Sequence, residues 1–397
     1  MDLYSMIIRE DFFSLFFPTV EKYFREVRNE SIEIRFATCR HDCNCVIRPR
    51  LSAVTSIHPT RRAKSFFYSE WNIRNSFLKN IAAKTYVWLL TNTGKLFCDY
   101  RFSFMPKDSF SNDYVIAPNN RTIRIFDYKT KTVGCICKEG FSNRFMRNQI
   151  EFRKTHNYVF LLKMIDYGDR WFTEPIMKGH PLARVCDNQL YADGIKQALE
   201  CIKTVAKPQI HYVSSHKYSE CLKTKILNYL MRAESEKEIK TSLAVRSLTE
   251  YALNCVFAES DILIPVSESH GDLQTGNIWM DENRKVWIYD WETVDTRSIW
   301  FDPVVLSYSL RRKNGWAGFF NDMRIERLED YLASFPAETA SPRIVKSIIL
   351  LEDMLFYFED MLELPGSWGN KIFDEFILLL EGVVIKNSKR EIICSEE

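Results

Sequence analysis

The sequence predicts an α+β protein of two lobes, a small antiparallel-sheet portion followed by a larger, mainly helical one, with an additional N-terminal region. Strand-like alternation is concentrated between Arg121 and Pro181, and helical spacing dominates after Leu182. A chain of 397 residues also exceeds what one small core organises. The expected division is 1–117, an extension of unclear role; 118–180, the strand-rich lobe and its connector; and 181–397, the helical lobe.

Phe12, Phe13, Phe16 and Phe17 fall on helical spacing, and Ile32, Ile34 and Phe36 alternate like a strand. Arg48, Arg50, Arg61, Arg62 and Lys64 read as a solvated basic face around Pro49 and Pro59. "TIRIFDYKTKTVGCICKEG" is two strands around a polar turn at 128–131, a β-hairpin. "SNRFMRNQIEFRKTHN" reads as a helix capped by Ser142 or Asn143, with Phe145, Ile150 and Phe152 inward. "VFLLKMIDYGDRWFTEPIMKGHPL" gives strand, turn, strand and an extended connector punctuated by Gly179 and Pro181. Residues 218–230 and 239–257 carry helical spacings. Two short strands, 278–280 and 286–289, flank a turn at 281–285. Ile344, Ile348, Leu351, Leu355, Phe358 and Leu362 recur every three or four residues as one apolar stripe.

Apolar content of 46% and charged content of 27% are those of a folded chain. A formal net charge of +2 argues against a mainly electrostatic nucleic-acid binder, so no nucleic-acid partner is expected. The start of the chain lacks the pattern of a signal peptide. The apolar run 376–385 is short and interrupted by Glu381, so it reads as a buried helix and no transmembrane segment is expected. Eleven cysteines without a regular framework read as reduced thiols, and a cytoplasmic location is expected. Cys39, His41, Cys43 and Cys45 alternate, unlike the Cys-x-x-Cys of structural zinc sites. They read as free thiols, although one strand face could gather them around a metal.

The chemistry concentrates in "SESHGDLQTGNIWMDENRKVWIYDWETV". Phosphoryl transfer needs held phosphates, a divalent metal and a group to orient the attacking hydroxyl. Asp272 can accept a hydroxyl proton. Asn277 can offer an amide oxygen, and Asp290, on the returning strand, a carboxylate. Hard oxygen ligands of this kind suit Mg2+.

"HGDLQTGN" and "IYDWE" resemble the catalytic loop and metal-binding strand of the aminoglycoside phosphotransferase and choline kinase group, small-molecule kinases with a protein-kinase-like fold. The resemblance covers roughly 121–310. It implies a bilobal kinase-like fold, Asp272 as catalytic base, Asn277 and Asp290 as magnesium ligands, and His270 as a loop support. Lys138 resembles the strand lysine that reaches the nucleotide phosphates, with Glu151 as its helix partner. "TEPIMKGHPL" resembles the hinge between lobes, where an adenine ring would bond to backbone from Glu174 to Ile176. The turn "DYKTK" departs from the glycine-rich loop of protein kinases, which leaves open the backbone groups that meet the phosphates.

Gly271 stands where regulated protein kinases carry an arginine, the segment from Asp290 to Asp302-Pro303 is short, and there is no A-P-E motif. These features point to a compact acceptor: a sugar, an amino alcohol or a glycan end. Glu292, Asp295, Trp300, Glu352, Asp353, Tyr357 and Trp368 are candidate linings of its pocket, and Asp302 is expected to cap a helix and steady the loop. The expectation is an ATP- and Mg2+-dependent phosphotransferase acting on a hydroxyl. Its alternative is a pseudokinase that binds nucleotide without turnover.

Overall fold

The N-terminal phenylalanines fold as their spacing predicts. After α1 (Leu3–Arg9), α2 (Phe12–Val27) buries Phe12, Phe16, Val20, Tyr23 and Phe24 and leaves Arg25 and Glu26 in solvent. The structure is a computed structural model and describes residues 3–37, 43–48, 51–70, 77–92, 100–322, 328–332, 334–335, 340–364 and 368–395. It divides into two units: Met1–Tyr191 with Trp279–Trp287, and Ala192–Ile278 with Ile288–Glu397.

The first unit is built on β1 (Glu33–Phe36), β2 (Cys45–Arg48), β3 (Ala53–Ser56), β4 (Arg101–Met105), β5 (Tyr114–Pro118), β6 (Thr122–Asp127), β7 (Thr132–Cys137), β8 (Asp166–Tyr167) and β9 (Trp171–Pro175). All nine share one antiparallel sheet in the order β1-β4-β2-β3-β5-β6-β7-β9-β8. Helices α3 (Arg61–Glu70), α4 (Phe77–Asn92) and α5 (Arg144–Thr155) complete it. The boundary expected at 117/118 is corrected here. It falls inside β5, whose residues Tyr114 to Pro118 pair with Asp127 to Ile123 of β6. The N-terminal region is therefore a continuation of the sheet.

Strand alternation separates two faces. Ile123, Ile125 and Ile136 join the phenylalanines of α2 in one buried cluster. Gly134 lies between them on that face, and a Cβ there would sit 2.2 Å from the Tyr23 ring. The opposite face meets α5: Arg153 bonds the Glu174 carboxylate at 2.7 Å and lies 4.7 Å from the Phe172 ring centre. Arg48 is also corrected. It is 2% exposed, inside the fold, where its guanidinium donates to Thr55 Oγ1 and to the Leu90 carbonyl near the end of α4. Buried carbonyls need donors, and this arginine supplies one. Arg61 and Arg62 are exposed as expected, and Arg50 lies outside the described residues.

The second unit holds α6 (Asn188–Ala206), α7 (Ser215–Glu236), α8 (Ser242–Phe257), α9 (Phe301–Ser307), α10 (Gly315–Asn321), α11 (Glu329–Leu332), α12 (Pro342–Glu363) and α13 (Trp368–Ser395). The stripe from Ile344 to Leu362 lies on α12, is buried throughout, and packs against α7, α8 and α13. Phe376, Ile377 and Leu380 of α13 are buried as expected, and among the described residues no helix is long and apolar enough to cross a membrane.

Two further small sheets are formed by the described residues. One runs β10 (His180–Pro181), β13 (Ile278–Met280), β14 (Val286–Ile288). The other runs β11 (His211–Ser214), β12 (Leu263–Ser269), β15 (Asp295–Ser298), and the sequence reading passed over it. Its strands are short and their partners are distant, as in Val213 against Ile264. The α+β class expected from the sequence is the class of the structure.

Candidate active site

Strand β12 ends at Ser269 and hands the chain to His270, which is fully buried. His270 Nε2 lies 2.7 Å from the Tyr289 carbonyl, and the Asp272 N–H donates to His270 Nδ1 at 3.2 Å. With Nδ1 accepting from Asp272, Nε2 is the nitrogen that donates to the Tyr289 carbonyl. The ring packs 4.6 Å from Trp291. His270 thus supports the loop, as the resemblance implies. Asp302 lies in the first turn of α9 instead of capping it. Its two oxygens accept the backbone N–H groups of His270 (2.6 Å) and Gly271 (2.9 Å), so it steadies the loop as expected.

Gly271 has φ +85, and a Cβ there would lie 2.5 Å from the Thr293 carbonyl and 2.7 Å from Arg297 Nη1. No side chain fits at this point of the loop. The Arg297 guanidinium comes across from β15 to donate to the Thr293 carbonyl at 3.0 Å.

Asp272 is ringed by donors. Its Oδ1 accepts from Arg311 Nε at 2.8 Å, and its Oδ2 from Gln274 Nε2 at 2.8 Å and Asn277 Nδ2 at 3.2 Å. Asn277 Nδ2 also donates to the Asp272 carbonyl at 2.9 Å. With its nitrogen committed to Asp272, the Asn277 amide leaves Oδ1 for a metal. Asn277 is joined in turn to the next motif: the Tyr289 N–H donates to the Asn277 carbonyl at 2.8 Å. Tyr289 is thereby tied to the loop through both N–H and C=O, which holds its neighbour Asp290 beside Asn277. Asp290 itself is left-handed, with φ 65 and ψ 49. Few side chains other than Asn and Asp adopt that conformation readily. The turn of the β13–β14 hairpin is set by Asp281, which accepts the N–H groups of Asn283 (2.8 Å) and Lys285 (2.9 Å).

Arg311 is the residue at this candidate site that sequence reasoning missed. Besides Asp272 it bonds Asp353 Oδ1 at 2.5 Å and the Gly271 carbonyl at 3.2 Å. Burial opposes its charge, but Asp353, Tyr357 and Asp272 outweigh that and push its pKa above the ordinary value. Burial raises Asp353, and Arg311 offsets part of the rise. No local motif marks Arg311; the only signal was an arginine shortly after the helix α9 that follows the Asp290 segment.

The first unit holds the residues expected to meet the nucleotide. Lys138 and Glu151 do not form the pair predicted for them, and this is a correction. Lys138, 1% exposed, bonds Glu10 Oε1 at 2.5 Å. It follows Gly134 and Ile136 in alternation, so it faces α2, whereas α5 packs on the other side of the sheet. Glu151 lies on the solvent side of α5 and bonds Lys154 at 2.9 Å; Gln149 and Ile150 occupy the inward face. Glu174 directs its carboxylate to Arg153, and the Ile176 N–H donates to the Lys131 carbonyl at 2.9 Å. Ile176 therefore spends its N–H on the residue that leads into β7. By alternation, the backbone groups facing away from β7 are those of Thr173 and Pro175.

Of the candidate pocket linings, Asp295 and Glu352 border a small, solvent-open depression, together with Tyr218, Lys225, Tyr229, Arg297, Phe356 and Glu359. Asp353 and Trp300 are buried instead, Asp353 with no exposed surface. Tyr357 stacks on Phe376 at 3.7 Å, and the side chain of Trp368 lies outside the described residues. Cys39 and His41 also lie outside them. Cys43 and Cys45 are free thiols, Cys43 Sγ donating to the Cys45 carbonyl at 3.2 Å.

No family model matches the chain, and no curated protein matches it. Solved structures do resemble it. A thermostable mutant of the aminoglycoside phosphotransferase APH(4)-Ia, in its apo form, is 12% identical with a TM-score of 0.45, over 69% of this chain and 96% of that one. A choline/ethanolamine kinase family protein from Mesorhizobium loti is 13% identical with a TM-score of 0.42, over 70% and 87%. The Plasmodium vivax ethanolamine kinase is 14% identical with a TM-score of 0.41, over 82% and 94%.

Proposed function

We propose that this chain is an ATP- and Mg2+-dependent phosphotransferase that moves the γ-phosphoryl group to a hydroxyl of a small molecule or glycan. The observation that carries the reading is the junction of the two motifs: Asn277 donates to Asp272 while its backbone accepts from Tyr289, next to Asp290. Asp272 takes the proton of the acceptor hydroxyl as that oxygen bonds to phosphorus, and the bond from phosphorus to the departing ADP oxygen breaks. Asn277 Oδ1 and the Asp290 carboxylate would hold Mg2+, which supplies charge neutralisation on the phosphates. Two protein oxygens suit that ion, since it keeps phosphate and water ligands besides. In the first unit, the Pro175 carbonyl, which by alternation faces away from β7, could accept from an adenine amino group.

Asp272→Ala should lower transfer at least about 100-fold, in line with the loss of a general base, while nucleotide binding persists. Asp290→Ala should also weaken Mg2+-dependent nucleotide binding, measured by calorimetry. Full-rate transfer by Asp272→Ala across a panel of hydroxylated metabolites would show that the base is misassigned.

The second reading, a pseudokinase that acts as a nucleotide-binding module without turnover, draws on the burial of Lys138 against Glu10. A lysine held there cannot also hold phosphate, so turnover through Lys138 requires Glu10 to withdraw. Nucleotide binding with no transfer to any acceptor would favour that reading.

A further inference from the structure

Asp272 Oδ1 is held by a guanidinium that is itself fixed on every side. Arg311 uses Nε for Asp272 (2.8 Å), Nη1 for Asp353 (2.5 Å) and Nη2 for the Gly271 carbonyl (3.2 Å). The Phe356 ring centre lies 4.2 Å from its Cζ. Its side chain is 9% exposed, and Asp353 on α12 is fully buried. Three bonds in one plane and a ring against its face leave the guanidinium a single orientation.

We infer that Arg311, anchored by Asp353, is a positioning residue that selects Oδ2 of Asp272 as the oxygen presented to the acceptor hydroxyl. The inference rests on the kinase reading above. Oδ1 is committed to Arg311, while among the described residues Oδ2 accepts from the neutral amides of Gln274 and Asn277. Those amides can yield to a hydroxyl at little cost, whereas a buried charge-assisted bond cannot. Charge explains the second acid. Two carboxylates on one arginine carry net −1, and the proton arriving on Asp272 makes the set neutral. Asp353 thus leaves Arg311 paired after the transfer, so no buried charge is stranded.

The test uses the full chain with Mg·ATP as probe, water serving as phosphoryl acceptor, and compares kcat and KM for ATP hydrolysis. Removing Arg311 alone strands Asp353, so the main variant is the neutral pair Arg311→Gln with Asp353→Asn. Arg311→Lys, which keeps the charge and loses the fork, is measured beside it. Both should lower kcat at least about tenfold, the scale of a misplaced reacting group, with KM for ATP within about twofold and the thermal midpoint preserved in whichever folds. Wild-type kcat in either variant, with Asp272→Ala inactive, overturns the inference and spares the kinase reading. So does a parallel loss of kcat, ATP affinity and thermal midpoint in both variants, which marks a merely structural arginine. Turnover that is absent with water and with every member of the hydroxylated-metabolite panel, or indifferent to Asp272→Ala, overturns the kinase reading and the inference with it.

Discussion

Glu352 is 2% exposed, and its oxygens accept from the Ser298 N–H (2.5 Å), Ser298 Oγ (2.7 Å) and Tyr218 Oη (2.7 Å). Burial pushes its pKa up to about 7, against the lowering effect of those bonds. In the unfolded chain the group ionises near 4.5. Between those values the folded state keeps a proton that the unfolded state has released, so stability falls as pH rises through this window and levels off above it. The fall is roughly 3 kcal/mol. Urea unfolding at pH 5 and pH 8 should show it in the wild type, and Glu352→Gln should remove most of it. An equal fall in both proteins would assign the pH dependence to other groups.

The same scale shows what one segment could tell and what it could not. Asp272, Asn277 and Asp290 were legible because a single loop and hairpin carry all three. Arg311 stands 39 residues from Asp272 and 42 from Asp353, so only the packing of α12 brings it to the loop. Glu151 was misplaced by helix phase: the acid lies on the solvent side of α5 while Gln149 and Ile150 turn inward.

At the scale of elements, α12 was legible because its stripe needs only local spacing, and its residues are buried against several helices. The contact of α2 with β7 was not, because it depends on an absent side chain. Gly134→Ala would put a Cβ 2.2 Å from the Tyr23 ring, and α2 would have to shift. The expected cost is about 1–3 kcal/mol, as for other overpacked cores, read as a lower denaturation midpoint. An unchanged midpoint would mean that α2 rides loosely on the sheet. The β11–β12–β15 sheet escaped notice for a related reason: its strands are four, seven and four residues long and pair across distant segments. Yet β12 delivers His270, and β15 carries the Arg297 that fills the space beside Gly271.

For the whole molecule, the sheet decides where the chain can be divided. A fragment of residues 118–397 would cut β5, expose the edge of β6 and strip α2 from Ile123, Ile125 and Ile136. An unpaired strand beside an uncovered apolar face does not hold a fold. This fragment should lose the cooperative unfolding of the first unit, followed by near-ultraviolet circular dichroism; a cooperative melt would restore the N-terminal region as a separate domain. The change in periodicity near residue 182 lies close to the division after Tyr191, but the hairpin Trp279–Trp287, expected in the helical lobe, belongs to the first unit. The extent of the first unit was not legible, since strand partners such as Phe36 and Phe102 are invisible to local patterning.

The hairpin Trp279–Trp287 belongs to the first unit, although Ala192–Ile278 of the second precedes it in the chain. During synthesis, β10 therefore waits for its partner β13 until almost a hundred further residues have left the ribosome. The first unit can fold early but close late. Its last piece arrives on the hairpin that the chain makes between Asn277 and Asp290.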